Sequence, residues 1–141
     1  MARKKSRFFT QRGISLALQD GWIRSFFPSF SCKYKGGEAI WRGFLQPREI
    51  SPLYHVEIRY ILGERPRVRI LRPILVPGAH HIYPDGTLCL YWPEEWNWSS
   101  TRFIAKTIIP WTSQWLLYYE LWLDTGKWLG PSSPHGGPKT I

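Results

Sequence analysis

The chain has 141 residues, 43% hydrophobic and 21% charged, a balance that suits one folded domain with a packed core and excludes wholesale disorder. Its net charge of +9 is uneven, with 15 Lys and Arg against 5 Asp and Glu in residues 1–72 and 4 against 5 in residues 73–141. No apolar run approaches the roughly 18 residues of a membrane helix, the basic opening "MARKKSRFFTQRG" lacks the apolar stretch of a secretory signal, and two cysteines without framework spacing point to a reducing, cytoplasmic compartment.

Arg12 to Phe27 reads as a short helix with Leu16, Leu18, Trp22, Ile23 and Phe26 as its apolar members. Gly21 weakens it and Pro28 ends it. "KGGEA" at 35–39 signals a turn. Three strands are predicted next. The first runs from Ala39 to Pro47. In the second, "LYHVEIRYIL", Tyr54, Val56, Ile58 and Tyr60 face one way and His55, Glu57 and Arg59 the other. In the third, "RPRVRILRPIL", Val68 and Ile70 alternate with Arg67 and Arg69. The linkers are short, so these strands should pair as an antiparallel meander. "GTLCLYW", behind a "YPDG" turn, reads as a short fourth strand or an extended segment.

From Thr101 the apolar positions Ile104, Ile108, Trp111, Trp115, Tyr118 and Trp122 step by four, three, four, three and four, the stripe of an amphipathic helix. Pro110 fits its first turn, its end falls near Leu123, and Gly126 is the expected cap. The remainder, "KWLGPSSPHGGPKTI", is rich in Gly, Pro and Ser, yet Trp128 and His135 could fold back on the body. The expected organisation is a basic tail over 1–12, a single domain over 13–135 and a loose end over 136–141. Its class is α+β, with helices packed on one sheet.

Six of the nine tryptophans lie between Trp92 and Trp122, and packing is the default role for so much ring surface. The cationic half could meet nucleic acid, an anionic membrane or an acidic protein, or could simply be solvated, since charge alone does not name a partner.

The segment "HHIYPDGTLCLYWP" concentrates the chemistry. It holds His80, His81 and Cys89 around one sharp turn. Three readings compete. As a nucleophile, Cys89 needs exposure and an assisting group, and His80 or His81 could take its proton or stabilise an oxyanion. As half a metal site it would join His80, His81 and, from the far end of the chain, His135, but adjacent histidines on an extended segment point apart, and zinc ligands come in tighter pairs. As an inert thiol it would sit buried in "LCLYW", as cysteines commonly do. Cys32 has no comparable company and reads as structural.

The order of elements resembles the ubiquitin-conjugating enzyme fold. More narrowly, the chain resembles the conjugating-enzyme-like proteins of bacterial antiphage CBASS operons. The residues carrying the resemblance are "WRGFLQP" (41–47), "YHVEIRY" (54–60), "PRVRILRPIL" (66–75), "HIYPDGTLCLYWP" (81–93), "TIIPWTSQWLLYYELW" (107–122) and "GKWLGPSSPH" (126–135). It implies an N-terminal helix, a four-stranded antiparallel meander and a crossing C-terminal helix. It also implies a transferase in which Cys89 forms a thioester with a protein C-terminus, that of a cGAS-like nucleotidyltransferase, and passes it to an amine. A separate activating-enzyme-like protein is a possible partner, while membranes and nucleic acid are not expected ones. No metal or organic cofactor is called for. Ubiquitin-conjugating enzymes carry His-Pro-Asn ahead of the cysteine, whereas this chain reads "HHIYPDG" without the Asn. His81 falls at about that spacing and is the candidate for its role, with Tyr83 holding the loop or offering its hydroxyl. His80, Tyr83, Trp128 and His135 are the candidate lining residues. "GKWLGPSSPH" is expected to stand where the fold's later helices would be, and "YWPEEWNW", with Glu94 and Glu95, to wall a groove for the incoming chain. The alternatives are a noncatalytic adaptor of the same fold that binds the nucleotidyltransferase, or a basic nucleic-acid-binding module.

Overall fold

The computed structural model describes residues 13–90 and 98–130. Helix α1 spans Leu16–Phe26, later than the predicted start at Arg12, because the Ser15 hydroxyl accepts from the Leu18 amide at 3.2 Å and caps it. Pro28 follows its last turn, as predicted.

Four strands form one antiparallel sheet in sequence order: β1 (Ser31–Lys35), β2 (Glu38–Leu45), β3 (Tyr54–Ile61) and β4 (Arg67–Arg72). The meander is therefore four-stranded, but its fourth member is not the segment around Cys89. It is "SCKYK", which the hydrophobic pattern concealed. This is an edge strand with four of its five residues exposed, so it carries no apolar alternation. Gly36 and Gly37, at φ 59° and 81°, make the two-residue turn into β2 that requires left-handed backbone at both positions. "GTLCL" contributes only the isolated bridge between Ile82 and Leu88. Tyr91 and Trp92, the rest of that predicted element, lie outside the described residues.

Register places Trp41 opposite Ile58, and Ile58 opposite Val68, so the inner rows align across three strands. These side chains join Ile23 of α1 and Ile108, Ile109 and Leu116 of the last helix in one core. Each fully buried aliphatic side chain of this kind stabilises the fold by about 1.5–3 kcal/mol. The outer rows are ionic. Glu57, predicted to face away from the core, does so and is nevertheless only 4% exposed. It accepts from Arg42 at 2.8 Å and Arg59 at 2.9 Å, and the long arginine side chains cover it.

A 3-10 turn (Ile104–Lys106) leads into helix α2 (Ile108–Thr125), with Pro110 in its first turn. Gly126, at φ 77°, caps it as expected by donating to the Trp122 carbonyl at 2.8 Å. The helix buries a wider face than the predicted stripe. Ile109, Thr112, Leu116, Tyr119 and Glu120 are buried alongside Trp115 and Trp122, while Trp111 and Tyr118 are half-buried. Gln19 of α1 clasps the entry to α2, donating to the Arg102 carbonyl and accepting from the Ile104 amide, both at 2.9 Å. Among the described residues no helix is long and apolar enough to cross a membrane.

Candidate functional site

The strand β4 ends at Arg72, and the chain then runs through "PILVPGA" to the two histidines. From His81 it doubles back in a tight hairpin. The Cys89 amide donates to the His81 carbonyl at 2.8 Å, and the Tyr83 amide to the Thr87 carbonyl at 2.8 Å. At the tip, the Asp85 carboxylate accepts from the Thr87 hydroxyl at 2.6 Å and its amide at 2.9 Å, which holds the carboxyl below its usual range. "YPDG" is thus the sharp turn its composition predicts.

Two contacts fasten this hairpin to the sheet. Leu88 donates its amide to the Val68 carbonyl at 2.9 Å, and Arg69 of β4 donates to the Asp85 carbonyl at 2.7 Å. His81 is the one non-glycine residue at positive φ among those described, at 58°. Such a conformation is costly unless its surroundings enforce it, and here the backbone bond to Cys89 does.

The sequence-predicted residues form two adjoining groups, joined where the His80 and His81 rings meet at 6.0 Å. Cys89, His81 and Tyr83 belong to the hairpin, where Tyr83 shares side-chain hydrogen bonds with the Cys89 sulfur and with Arg65. Burial and the bond to Cys89 push the Tyr83 phenol up, with Arg65 pulling against them, so it carries its proton at neutral pH. His80, Trp128 and the rings of α2 form the second group. The His80 ring is buried, stacked on Trp128 at 5.6 Å and 5°, with Trp122 at 5.5 Å. Trp128 also meets His81 at 5.0 Å and Trp115 at 5.6 Å, so the segment after α2 does fold back over the histidines. His135 and "YWPEEWN" of the predicted groove wall, including Glu94 and Glu95, lie outside the described residues.

Cys89 itself is 1% exposed, against the exposure a nucleophile needs. Cys32 is on β1, half-buried, and burial pushes its thiol up. It shares no element with the hairpin. No group of three or more His, Cys, Asp or Glu among the described residues is placed to hold a metal ion. A groove of ≈ 680 Å³ lies between the end of β2 and the start of α2, lined by Phe44, Pro47, Pro110 and Leu117 among others, with no hairpin residue in its wall.

Sequence reasoning missed Arg65. It sits in the linker "GERP", where nothing in spacing marks it, and only the fold lays its guanidinium over the Tyr83 ring at 4.3 Å.

Residues 19–136 match the family of Type II CBASS E2 proteins, and the chain belongs to that family. The helix, four-stranded meander and helix described above accord with the ubiquitin-conjugating-like fold that membership implies. No curated protein matches the chain in sequence.

Proposed function

We propose that this Type II CBASS E2 protein is a thioester-transfer enzyme of bacterial antiphage defence, with Cys89 as its acyl acceptor. The observation that carries the reading is the hairpin that ties Cys89 to His81 through one backbone bond of 2.8 Å. In the first step the Cys89 thiolate attacks the carbonyl of a protein C-terminus held as a thioester on an activating protein. A carbon–sulfur bond forms to Cys89, and the donor's thiolate leaves. In the second step an amine attacks the same carbonyl. A carbon–nitrogen bond forms, Cys89 leaves as thiolate, and the amine's proton passes to a base. Each step builds negative charge on the carbonyl oxygen, and this reading gives its stabilisation to the His81 imidazole and the Tyr83 hydroxyl, which stand on the same hairpin as Cys89. The carried chain is the C-terminus of a cGAS-like nucleotidyltransferase. No metal or organic cofactor takes part in this scheme. A cysteine exposed by 1% is not reached by a protein-sized donor without movement, so the scheme requires local opening of the hairpin or of what covers it.

That same burial favours a second reading, a noncatalytic adaptor that binds the nucleotidyltransferase and keeps Cys89 as a packing residue. Intact mass spectrometry separates the two. Cys89→Ser protein co-expressed with the products of its neighbouring genes should carry a stable ester adduct whose mass names the passenger. An adduct-free Cys89→Ser protein, together with full phage protection by Cys89→Ala cells, would leave the adaptor.

A further inference from the structure

The mobile end of a tyrosine side chain is a poor hydrogen-bond donor to sulfur unless something fixes its direction. Tyr83 stands on the rising arm of the hairpin, three residues past His80 and two before the tip at Asp85. Its backbone is set by bonds to Thr87 and Gly86, both at 2.8 Å, but those bonds leave the ring free to turn about its side-chain torsions. The ring is held from outside the hairpin. Arg65, in the linker between β3 and β4, lays its guanidinium over the ring at 4.3 Å and hydrogen-bonds the phenol oxygen, while the phenol bonds the Cys89 sulfur. A guanidinium keeps its charge at every working pH and has donors to spare, so it can face the ring and the oxygen together.

We propose that Arg65 is a positioning residue of the Cys89 site, holding the Tyr83 phenol so that its O–H donates to the cysteine sulfur. A phenol that donates to a thiolate stabilises the charged form and disfavours the thiol. The same donor is then in place for the carbonyl oxygen when that sulfur is acylated. Arg65 touches neither the sulfur nor any acyl group and acts through Tyr83. Several charged or titratable groups face the sulfur's hairpin. Tyr83, Asp85, His80 and His81 come from the hairpin and its approach, Arg65 from the β3–β4 linker and Arg69 and Arg67 from β4, while α2 brings the ring of Trp122 against His80. Arg69 grips the turn through the Asp85 carbonyl, at 2.7 Å, so the two arginines have separate tasks: one fixes the hairpin, the other fixes the phenol.

The inference rests on the reading of Cys89 as an acyl acceptor, but its consequence for thiol reactivity is measured without any acyl donor. The experiment follows alkylation of Cys89 by iodoacetamide across pH, by mass spectrometry, in protein carrying Cys32→Ala. Tyr83→Phe should raise the midpoint of the rate–pH curve by about one unit, a tenfold slower reaction at neutral pH. Arg65→Met should do nearly the same, and Arg65→Lys should recover at least half of the shift. The double variant Tyr83→Phe/Arg65→Met should shift no further than Tyr83→Phe alone, because the two residues act as one unit. An Arg65→Met midpoint equal to wild type would overturn the proposal, as would summed shifts in the double variant or a Cys89 that resists the reagent at every pH where the fold is intact. Circular dichroism checks that each variant is folded; Arg65 is exposed on a linker, so its replacement leaves the core untouched. Shifted curves without any ester on Cys89→Ser would retain the positioning role and discard acyl transfer. Normal esters with unshifted Arg65→Met curves would do the reverse.

Discussion

Glu120 on α2 and Arg48, 72 residues earlier in the β2–β3 linker, meet in a two-pronged ion pair, with the arginine Nη2 2.6 Å and its Nε 3.0 Å from one carboxylate oxygen. Ser51 donates to the same oxygen at 2.9 Å and Tyr54 to the other at 2.7 Å. One buried carboxylate therefore pins the C-terminal half of α2 to the linker and to the start of β3. Glu120→Ala removes the acceptor of four bonds and strands Arg48, Ser51 and Tyr54. The expected loss is about 2–3 kcal/mol, moderated because Arg48 is partly solvated. Urea unfolding of the variant against wild type measures it.

The same carboxylates give the protein a definite response to acid. Burial pushes Glu120 up, but bonds from Tyr54, Arg48 and Ser51 outweigh it and hold its carboxyl below the usual range. Burial likewise opposes, and bonds from Arg59 and Arg42 overcome, in holding Glu57 low. A folded-state value below the unfolded one means stability that is fully present above the unfolded value, about 4.3, and is lost as pH falls through the folded values. Unfolding free energy should be level between pH 7 and about 5 and should fall below about 4.5. Urea melts at stepped pH test this, and Glu120→Gln should make the acid decline shallower.

Packing makes a sharper demand at Gly43. A Cβ built there would lie 2.3 Å from two atoms of the Phe30 ring, which is 2% exposed and has no room to retreat. Gly43→Ala should cost about 1–3 kcal/mol through overpacking, and Phe30→Leu in the same chain should recover part of it. A thermal melt in which Gly43→Ala matches wild type would contradict this packing.

Trp128 tests whether the segment after α2 matters to the site or only to the fold. Its ring stacks on His80 and meets His81. Trp128→Phe should keep most of that contact and most adduct formation on Cys89→Ser. Trp128→Ala should lose about 3 kcal/mol of stability and reduce the adduct at temperatures where the protein stays folded. An unchanged adduct yield in a folded Trp128→Ala protein would assign the ring to packing alone.

The two cysteines should separate cleanly. Cys32 lies on the edge strand β1 with its thiol pushed up by burial, away from the hairpin. Phage protection should survive Cys32→Ala and fail in Cys89→Ala and Cys89→Ser, as efficiency-of-plating assays would show.

Some elements were legible before any coordinates. The alternation in "YHVEIRY" identifies β3 and its faces, because a strand half-buried in a sheet must place every second side chain inward. Pro110 and Gly126 bracket α2, because proline is confined to the first turn of a helix and glycine suits the left-handed position that ends one. Strand β1 was not legible: an exposed edge has no inner row to betray it, and only the Gly36–Gly37 turn hints at a partner. The burial of Glu57 and Glu120 was not legible either, since nothing in their neighbourhood along the chain announces the arginines that pair with them.

At the site the division is the same. Cys89, His81 and Tyr83 stand within nine residues around "YPDG", so the turn chemistry legible in the sequence sets them on one hairpin. Trp128 against His80, Arg65 over Tyr83 and the burial of Cys89 are decided only by the packed fold, because they join segments far apart in sequence. Burial and long-range contact depend on how the elements stack, and no short window of residues encodes that stacking.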